Sequence, residues 1–304
     1  MVGSCFTDEI GGRLRQDMFD VSVNPFGTLF NPESIATSIE DALNNRQFSP
    51  DELFQYEGRW RTFDRHSSLA LADRDATVEL LNRVNAEVGQ TLRRCDWLIV
   101  TFGSAIAFNL NADYHIVANC HKQPQQLFSR VELSIDYITY RWHDLLLRLR
   151  AINPALKVVF TVSPVRHIGY GAVADRRSKS RLILACEALC NGPGTIYFPS
   201  YEIMVDDLRD YRFYADDMVH PSTTAVDYIY DIFAQSLTTE ATRAEAKLWH
   251  RLSLRASHRF DSPNDAFVDA TNALAVSLAS QSDADTDEML KRFHNYSDYL
   301  KNKS

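Results

Sequence analysis

The chain has 304 residues, is 45% hydrophobic and carries only 11 Gly and 10 Pro, a composition that excludes disorder and fibrous repeats and allows one large core or two modest ones. Its 32 Lys and Arg are interspersed among 40 Asp and Glu, for a net charge of -8, so no basic stripe favours a nucleic-acid partner. Five cysteines (Cys5, Cys95, Cys120, Cys186, Cys190) are odd in number and lack C-x-x-C spacing, which argues against a disulfide framework and a zinc ribbon.

These cysteines suit a reducing compartment. No run reaches the ~18 to 20 apolar residues of a membrane span and no basic-then-apolar leader opens the chain, so the expectation is a cytoplasmic protein with no membrane partner.

The chain opens with Gly3-Ser4-Cys5-Phe6-Thr7-Asp8, a small polar turn running into a helix-like stretch. Such a turn can seat a nucleophile or simply cap a helix. Only Met1 and Val2 precede Gly3, fewer than the ~5 residues of an ordinary strand, so a first strand is expected to be cut short. Further along, residues 19–27, 95–104, 156–165 and 194–203 are short apolar runs rich in Val, Ile, Phe and Thr that end at Gly, Ser or Pro. They read as parallel strands covered on both faces.

Between the runs, residues 75–94, 129–151 and 178–189 space apolar residues by three and four, predicting helices that pack on a sheet. The alternation predicts an α/β fold over residues 1–238, with a helical extension over 239–304 in which 238–257 and 287–302 read as helices. Open sheets of this kind present their ligand loops at the carboxyl ends of the strands. Those ends deliver Asn24 to Gly27, Gly103-Ser104, Ser163 to His167, and an acid-imidazole pair near residue 217.

That pair is Asp217 and His220, followed by Pro221, which predicts a helix opening at the proline with the imidazole at the loop-helix junction. An acid three residues earlier can fix the imidazole tautomer and make it a general base; the same two residues can also serve only to cap the helix.

Taken together, the Gly-Ser-Cys turn and the downstream D-x-x-H resemble the GSCFA family, a branch similar to the GDSL/SGNH hydrolases. Other stretches of like appearance are "NPFGTLFNPESIA", "VANCHKQPQQLF", "TVSPVRH", "SKSRL" and "YFPSYEIMVDDLRDYRFYADDMVHPS". The resemblance implies a three-layer α/β/α, flavodoxin-like parallel sheet. In register with G-D-S-L-T-D, Ser4 falls on the aspartate and Cys5 on the nucleophilic serine, so Cys5 is the expected nucleophile and Ser4 a helix cap or, less favoured, the attacking group. A thiol at a helix start beside an imidazole is expected to have its thiolate favoured.

The resemblance further implies oxyanion donors on Cys5 and Gly27, and a third on an asparagine after the next strand. "TFGSAIAF" has no such asparagine, and Asn119 is the expected substitute, with Ser104 a weaker one. Ser104, His121, Lys122, Arg166 and His167 are candidate substrate contacts, for which solvated loop positions are the plainer reading. His66, His115 and His121 lack the spacing of a metal site, so no metal and no cofactor is expected. The implied activity is ester hydrolysis or acyl transfer on a small acyl ester, an acetylated carbohydrate among the candidates; the alternative is a module that keeps the fold and binds carbohydrate or acts as a scaffold without catalysis.

Overall fold

The computed structural model describes residues 1–259, 264–282 and 285–303. In chain order, β1 (Val2–Gly3) leads into α1 (Cys5–Gln16), followed by α2 (Pro32–Leu43), the antiparallel pair β2 (Phe54–Tyr56) and β3 (Arg59–Arg61), and α3 (Arg74–Leu92). Then come β4 (Trp97–Phe102), β5 (Ile106–Leu110), β6 (Ile116–Val117), β7 (Phe128–Glu132), α4 (Ile135–Ile152), β8 (Lys157–Val162), α5 (Ala172–Leu189), β9 (Thr195–Phe198) and the single turn α6 (Ser200–Glu202). After it come the helices α7 (Thr223–Leu237), α8 (Glu240–Ala256), α9 (Asp265–Ala279) and α10 (Thr286–Lys303).

A central parallel sheet of four strands, in the order β1-β4-β8-β9, is flanked by helices, as in a three-layer α/β/α protein. β4 and β8 read Trp-Leu-Ile-Val-Thr-Phe and Lys-Val-Val-Phe-Thr-Val, near-continuous runs that suit a strand buried on both faces. Phe102 and Phe160 stack at 5.5 Å between ring centroids, and Trp142 of α4 meets their edges at 5.1 and 5.2 Å. Leu182, Cys186 and Leu189 of α5 close the same core.

β1 is two residues long and pairs Gly3 with Thr101. Gly3 has φ +141°, and a Cβ there would stand 2.2 Å from the Thr101 carbonyl oxygen. No other residue fits that approach without moving one strand.

Two expected elements are corrected. Residues 19–27 form no strand: Asn24 has φ +44°, Gly27 has φ +74°, and Pro25 offers no N–H, so the segment turns where a strand would continue. It runs beside β1 all the same, through the Asn24 N–H to Met1 O at 3.0 Å and the Gly3 N–H to Asn24 Oδ1 at 2.9 Å. The helix expected over 129–151 begins at Ile135, capped by the Ser134 hydroxyl, because Phe128–Glu132 pairs as β7 against β5. The elements α2 and β5 also lay outside the expectation, although Asn31-Pro32 is a plain helix start whose carboxamide accepts the Ser34 N–H.

The chain divides into two compact units: Met1–Asp8 with Val23–Val226, and Glu9–Ser22 with the chain from Asp227 onward. In the second, Met18, Trp249, Leu252, Ala275, Met289 and Phe293 form their own core, with Trp249 and Phe293 centroids 5.9 Å apart. Tyr230 Oη donates to Asp17 Oδ2 at 2.7 Å within that unit.

Candidate active site

The first unit contains the Gly-Ser-Cys turn whole. Leaving β1, the Ser4 N–H donates to Thr101 O at 3.1 Å, and the Thr7 N–H donates back to Ser4 O at 2.9 Å as α1 begins. Cys5 is the first residue of that helix. The backbone N–H groups of Cys5 and Phe6 favour the charged form of the sulfur, as unpaired donors at a helix start do. Asn24 steadies the turn from the side: its carboxamide accepts the Gly3 N–H and reaches Ser4 O at 3.4 Å.

The imidazole comes from a second turn, closed by the bridge between Tyr214 and Pro221 and by the Ala215 N–H to His220 O at 2.8 Å. One oxygen of Asp217 accepts the Val219 and His220 N–H groups at 2.8 and 2.9 Å, and the other faces His220 Nδ1 at 2.6 Å. These donors hold the Asp217 carboxyl down to about 2, the His220 backbone bond contributing most. A carboxylate at that distance puts the neutral ring's proton on Nδ1 and leaves Nε2 as an acceptor. Cys5 Sγ lies 3.5 Å from that Nε2.

The thiol is not ionised in advance. Burial pushes the Cys5 thiol up and the Asp8 charge adds to it, outweighing the helix-start N–H groups and the Lys179 charge. The expected preference for thiolate is therefore corrected: at rest the sulfur keeps its proton, and Nε2 is the group able to take it.

One of the expected substrate contacts braces this arrangement. The Arg166 N–H donates to Val219 O at 3.2 Å and its guanidinium to Met218 O at 3.2 Å, with the guanidinium 4.7 Å above the Tyr214 ring, so Arg166 holds the turn that carries His220. His167 packs edge-on to Phe30 at 5.6 Å, and burial followed by the Lys179 charge pulls its imidazole down to about 4, so the ring is neutral near pH 7.

The others are corrected or left apart. Ser4 is buried and its hydroxyl has no hydrogen-bond partner, so it neither caps α1 nor faces a base. The Gly27 N–H donates to Asn24 O at 2.8 Å and is engaged in a turn. A Cβ at Gly27 would meet His66 Cβ at 2.4 Å, so the glycine serves close packing. The Asn119 carboxamide oxygen accepts the His121 N–H at 2.7 Å within its own loop, and the Asn119 backbone N–H donates to Phe63 O at 3.2 Å in the segment after β3.

Ser104 is buried in a hydroxyl pair with Ser178 at 3.2 Å and accepts the Ile106 N–H. His121 is buried with Nε2 on Thr62 O at 2.8 Å, and Lys122 is exposed. Polarity beside a strand end does not by itself mean exposure.

Lys179 had escaped notice. It is fully buried on the face of α5 that carries Leu182, Cys186 and Leu189, and its ammonium donates to Gly103 O and Ser163 O, both at 2.7 Å. A lysine in register with an apolar stripe, inside "SKSRL", was the available signal. A separate cavity of about 490 Å³ is lined by Glu33, Asp64, Asn109, His115, Glu132 and Tyr137 among others, without Cys5, Asp217 or His220.

Fold and geometry thus define an α/β protein with a thiol, an imidazole and a carboxylate in hydrogen-bonding sequence. The chain belongs to the GSCFA family, whose model matches residues 1–233. No curated protein and no solved structure matches it. Among the described residues, no helix is long and apolar enough to cross a membrane.

Proposed function

We propose that this protein hydrolyses or transfers a small acyl group carried as an ester, with Cys5 as nucleophile, His220 as general base and Asp217 as the group that orients His220. The observation that carries the reading is the chain of contacts from Cys5 Sγ to His220 Nε2 at 3.5 Å and from His220 Nδ1 to Asp217 Oδ2 at 2.6 Å. As sulfur attacks the ester carbonyl, its proton moves to Nε2; the tetrahedral centre collapses, the leaving alkoxide takes that proton, and a thioester remains on Cys5. Water or an acceptor alcohol then loses a proton to Nε2, attacks the thioester and releases the acyl group, and the proton returns to the sulfur.

The N–H groups of Cys5 and Phe6 at the start of α1 are the donors best suited to the oxyanion. The order of nucleophile and D-x-x-H resembles the GDSL/SGNH hydrolases. With it goes the proposal of a cytoplasmic enzyme acting on a small acyl ester, such as an acetylated carbohydrate, with neither nucleic acid nor membrane as a partner. A second reading, a module that binds such a ligand without turnover, draws on the Gly27 N–H being engaged and on the missing asparagine after β4.

One experiment separates them. Incubation with an aryl acetate followed by intact mass should trap an acetyl group on Cys5, and Cys5→Ala should lower the rate at least about a hundredfold. Full activity in Cys5→Ala would exclude the thiol as nucleophile, and ligand binding with no acyl adduct would favour the second reading.

A further inference from the structure

Lys179 makes an arrangement that a purely structural side chain does not need. Its ammonium has no solvent exposure, and its two hydrogen bonds go to neutral carbonyls, Gly103 O just beyond β4 and Ser163 O just beyond β8. Among the described residues no carboxylate forms an ion pair with it; Asp175, one turn earlier on α5, acts on it only at longer range. Burying a charge without an ionic partner costs several kcal/mol, whereas a neutral donor could satisfy the same carbonyls at lower cost. The position is also particular. Gly3 pairs with Thr101, and Phe102 with Val162, so Cys5, Gly103 and Ser163 leave the same ends of three adjacent parallel strands. Neighbouring strands lie roughly 4.8 Å apart.

We propose that Lys179 is a positioning residue for the sulfur chemistry: its fixed ammonium holds a positive potential at the start of α1 that stabilises negative charge on Cys5 Sγ as the S–H bond breaks and the proton passes to His220 Nε2. The inference rests on Cys5 being the nucleophile. The charges acting on the sulfur are Asp8 from its own helix, which opposes ionisation, and Lys179 from α5, which favours it; those acting on Lys179 are Asp175 and Cys5, the Tyr201 ring lies 5.6 Å from its ammonium, and His167 in turn feels both Lys179 and His220. Burial lowers the Lys179 ammonium to about 8, so the charged form prevails at neutral pH.

The test reads thiol alkylation, which needs no ester substrate. The rate of Cys5 reaction with iodoacetamide is followed by peptide mass across pH, in the unaltered protein and in Lys179→Gln, Lys179→Met and Lys179→Arg. Glutamine keeps an N–H donor and loses the charge; arginine keeps the charge. The glutamine and methionine variants should react about tenfold more slowly at pH 7, with the midpoint of the rate-pH curve moved up by about one unit, and arginine should restore most of the rate. A folded Lys179→Gln protein with the unaltered curve would overturn the proposal, since loss of a structural tie lowers melting without moving that midpoint.

If no variant at 179 folds, the unaltered chain decides. Capping Cys5 with iodoacetate leaves a carboxylate and capping with iodoacetamide leaves a neutral amide, so the Lys179 ammonium, followed by ¹⁵N NMR, should titrate higher in the first. Equal titration overturns the proposal. Failure to turn over any ester, with the alkylation result intact, would instead remove the hydrolase reading alone.

Discussion

Arg65 and Lys179 are both shut away from solvent, at 1% and 0% exposure, and both lie near aromatic rings, yet they differ in how their charge is met. Arg65 reaches Asp41 at 2.9 Å, Asn85 at 3.0 Å and Ser38 at 3.2 Å, and its guanidinium lies 5.1 and 4.9 Å from the Phe26 and Phe48 rings. Its charge is matched where it stands, and the ion pair ties the loop at Thr62 to Ala70 onto α2 and α3. Lys179 has two carbonyls, the Tyr201 ring at 5.6 Å and, among the described residues, no ion-paired carboxylate. The contrast teaches that a buried cation closed by an anion fixes a fold, whereas one left electrically open projects its field onto whatever lies near, here a thiol.

The largest expected effect falls on the closed site. Arg65→Met leaves the part-buried Asp41 with only the longer Arg46 contact at 3.7 Å and takes the donor from Asn85 and Ser38, and should cost about 3–4 kcal/mol in chemical denaturation, with Cys5 alkylation in the folded protein unchanged. A loss under about 1 kcal/mol would mean that the ion pair does not hold the loop, and the contrast would fail on that side.

Next comes the proton relay that the open site is proposed to serve. Asp217→Asn should lower ester turnover about a hundredfold, because the imidazole loses the partner that fixes its tautomer. Stability should hardly change, since both side chains are half exposed. Asp217 titrates below its ordinary value in the folded chain, so its bonds are fully present above about pH 4 and are lost as pH falls through about 2. Turnover that survives in Asp217→Asn would detach His220 from the chemistry.

Lys179→Met should cost less than the Arg65 change, about 1–3 kcal/mol, because removal of a costly buried charge offsets the two carbonyls left unpaired. A larger loss than in Arg65→Met would reverse the comparison.

The smallest effect belongs to an intermediate case, His115, a half-buried imidazole bonded to Asp113 at 2.6 Å and 3.4 Å from Asp64. These carboxylates push its imidazole up to about 9, the Asp64 bond contributing most. A raised folded value means stabilisation that is complete below about pH 6.5 and is lost as pH rises through about 9. With its exposure discounted, this is worth less than about 1 kcal/mol, and His115→Gln should flatten that alkaline limb in thermal melts.

How much of this was readable in advance follows from which signals are local. The strands β4, β8 and β9, the helix α3 and most of α4 and α5 announce themselves by run length and period, because a strand buried on both faces and a helix packed on one leave different imprints. Residues 19–27 misled because apolar content was weighed above the positive φ that Asn24 and Gly27 adopt around Pro25. Phe128–Glu132 misled because Val131 and Leu133 also fit the helical spacing that follows. At the site, Cys5, Asp217 and His220 were legible as residue types in a familiar order, and the structure brings them together.

The roles of their supports were not legible. Whether Ser104 or His121 faces a cleft depends on chain segments dozens of positions away, and a lone lysine on an apolar stripe looks like noise until the carbonyls it meets are known.

The glycine that opens the motif has a meaning separate from chemistry. Because the backbone of Thr101 occupies the space that any β-carbon at Gly3 would need, the position is dictated by how two strands meet. A relative that had lost every reactive side chain would be under the same steric demand, so the first letter of the motif is a mark of architecture and says nothing about turnover. Screening distant chains for catalytic competence should therefore ask for the sulfur, the imidazole and the carboxylate, and ignore the glycine.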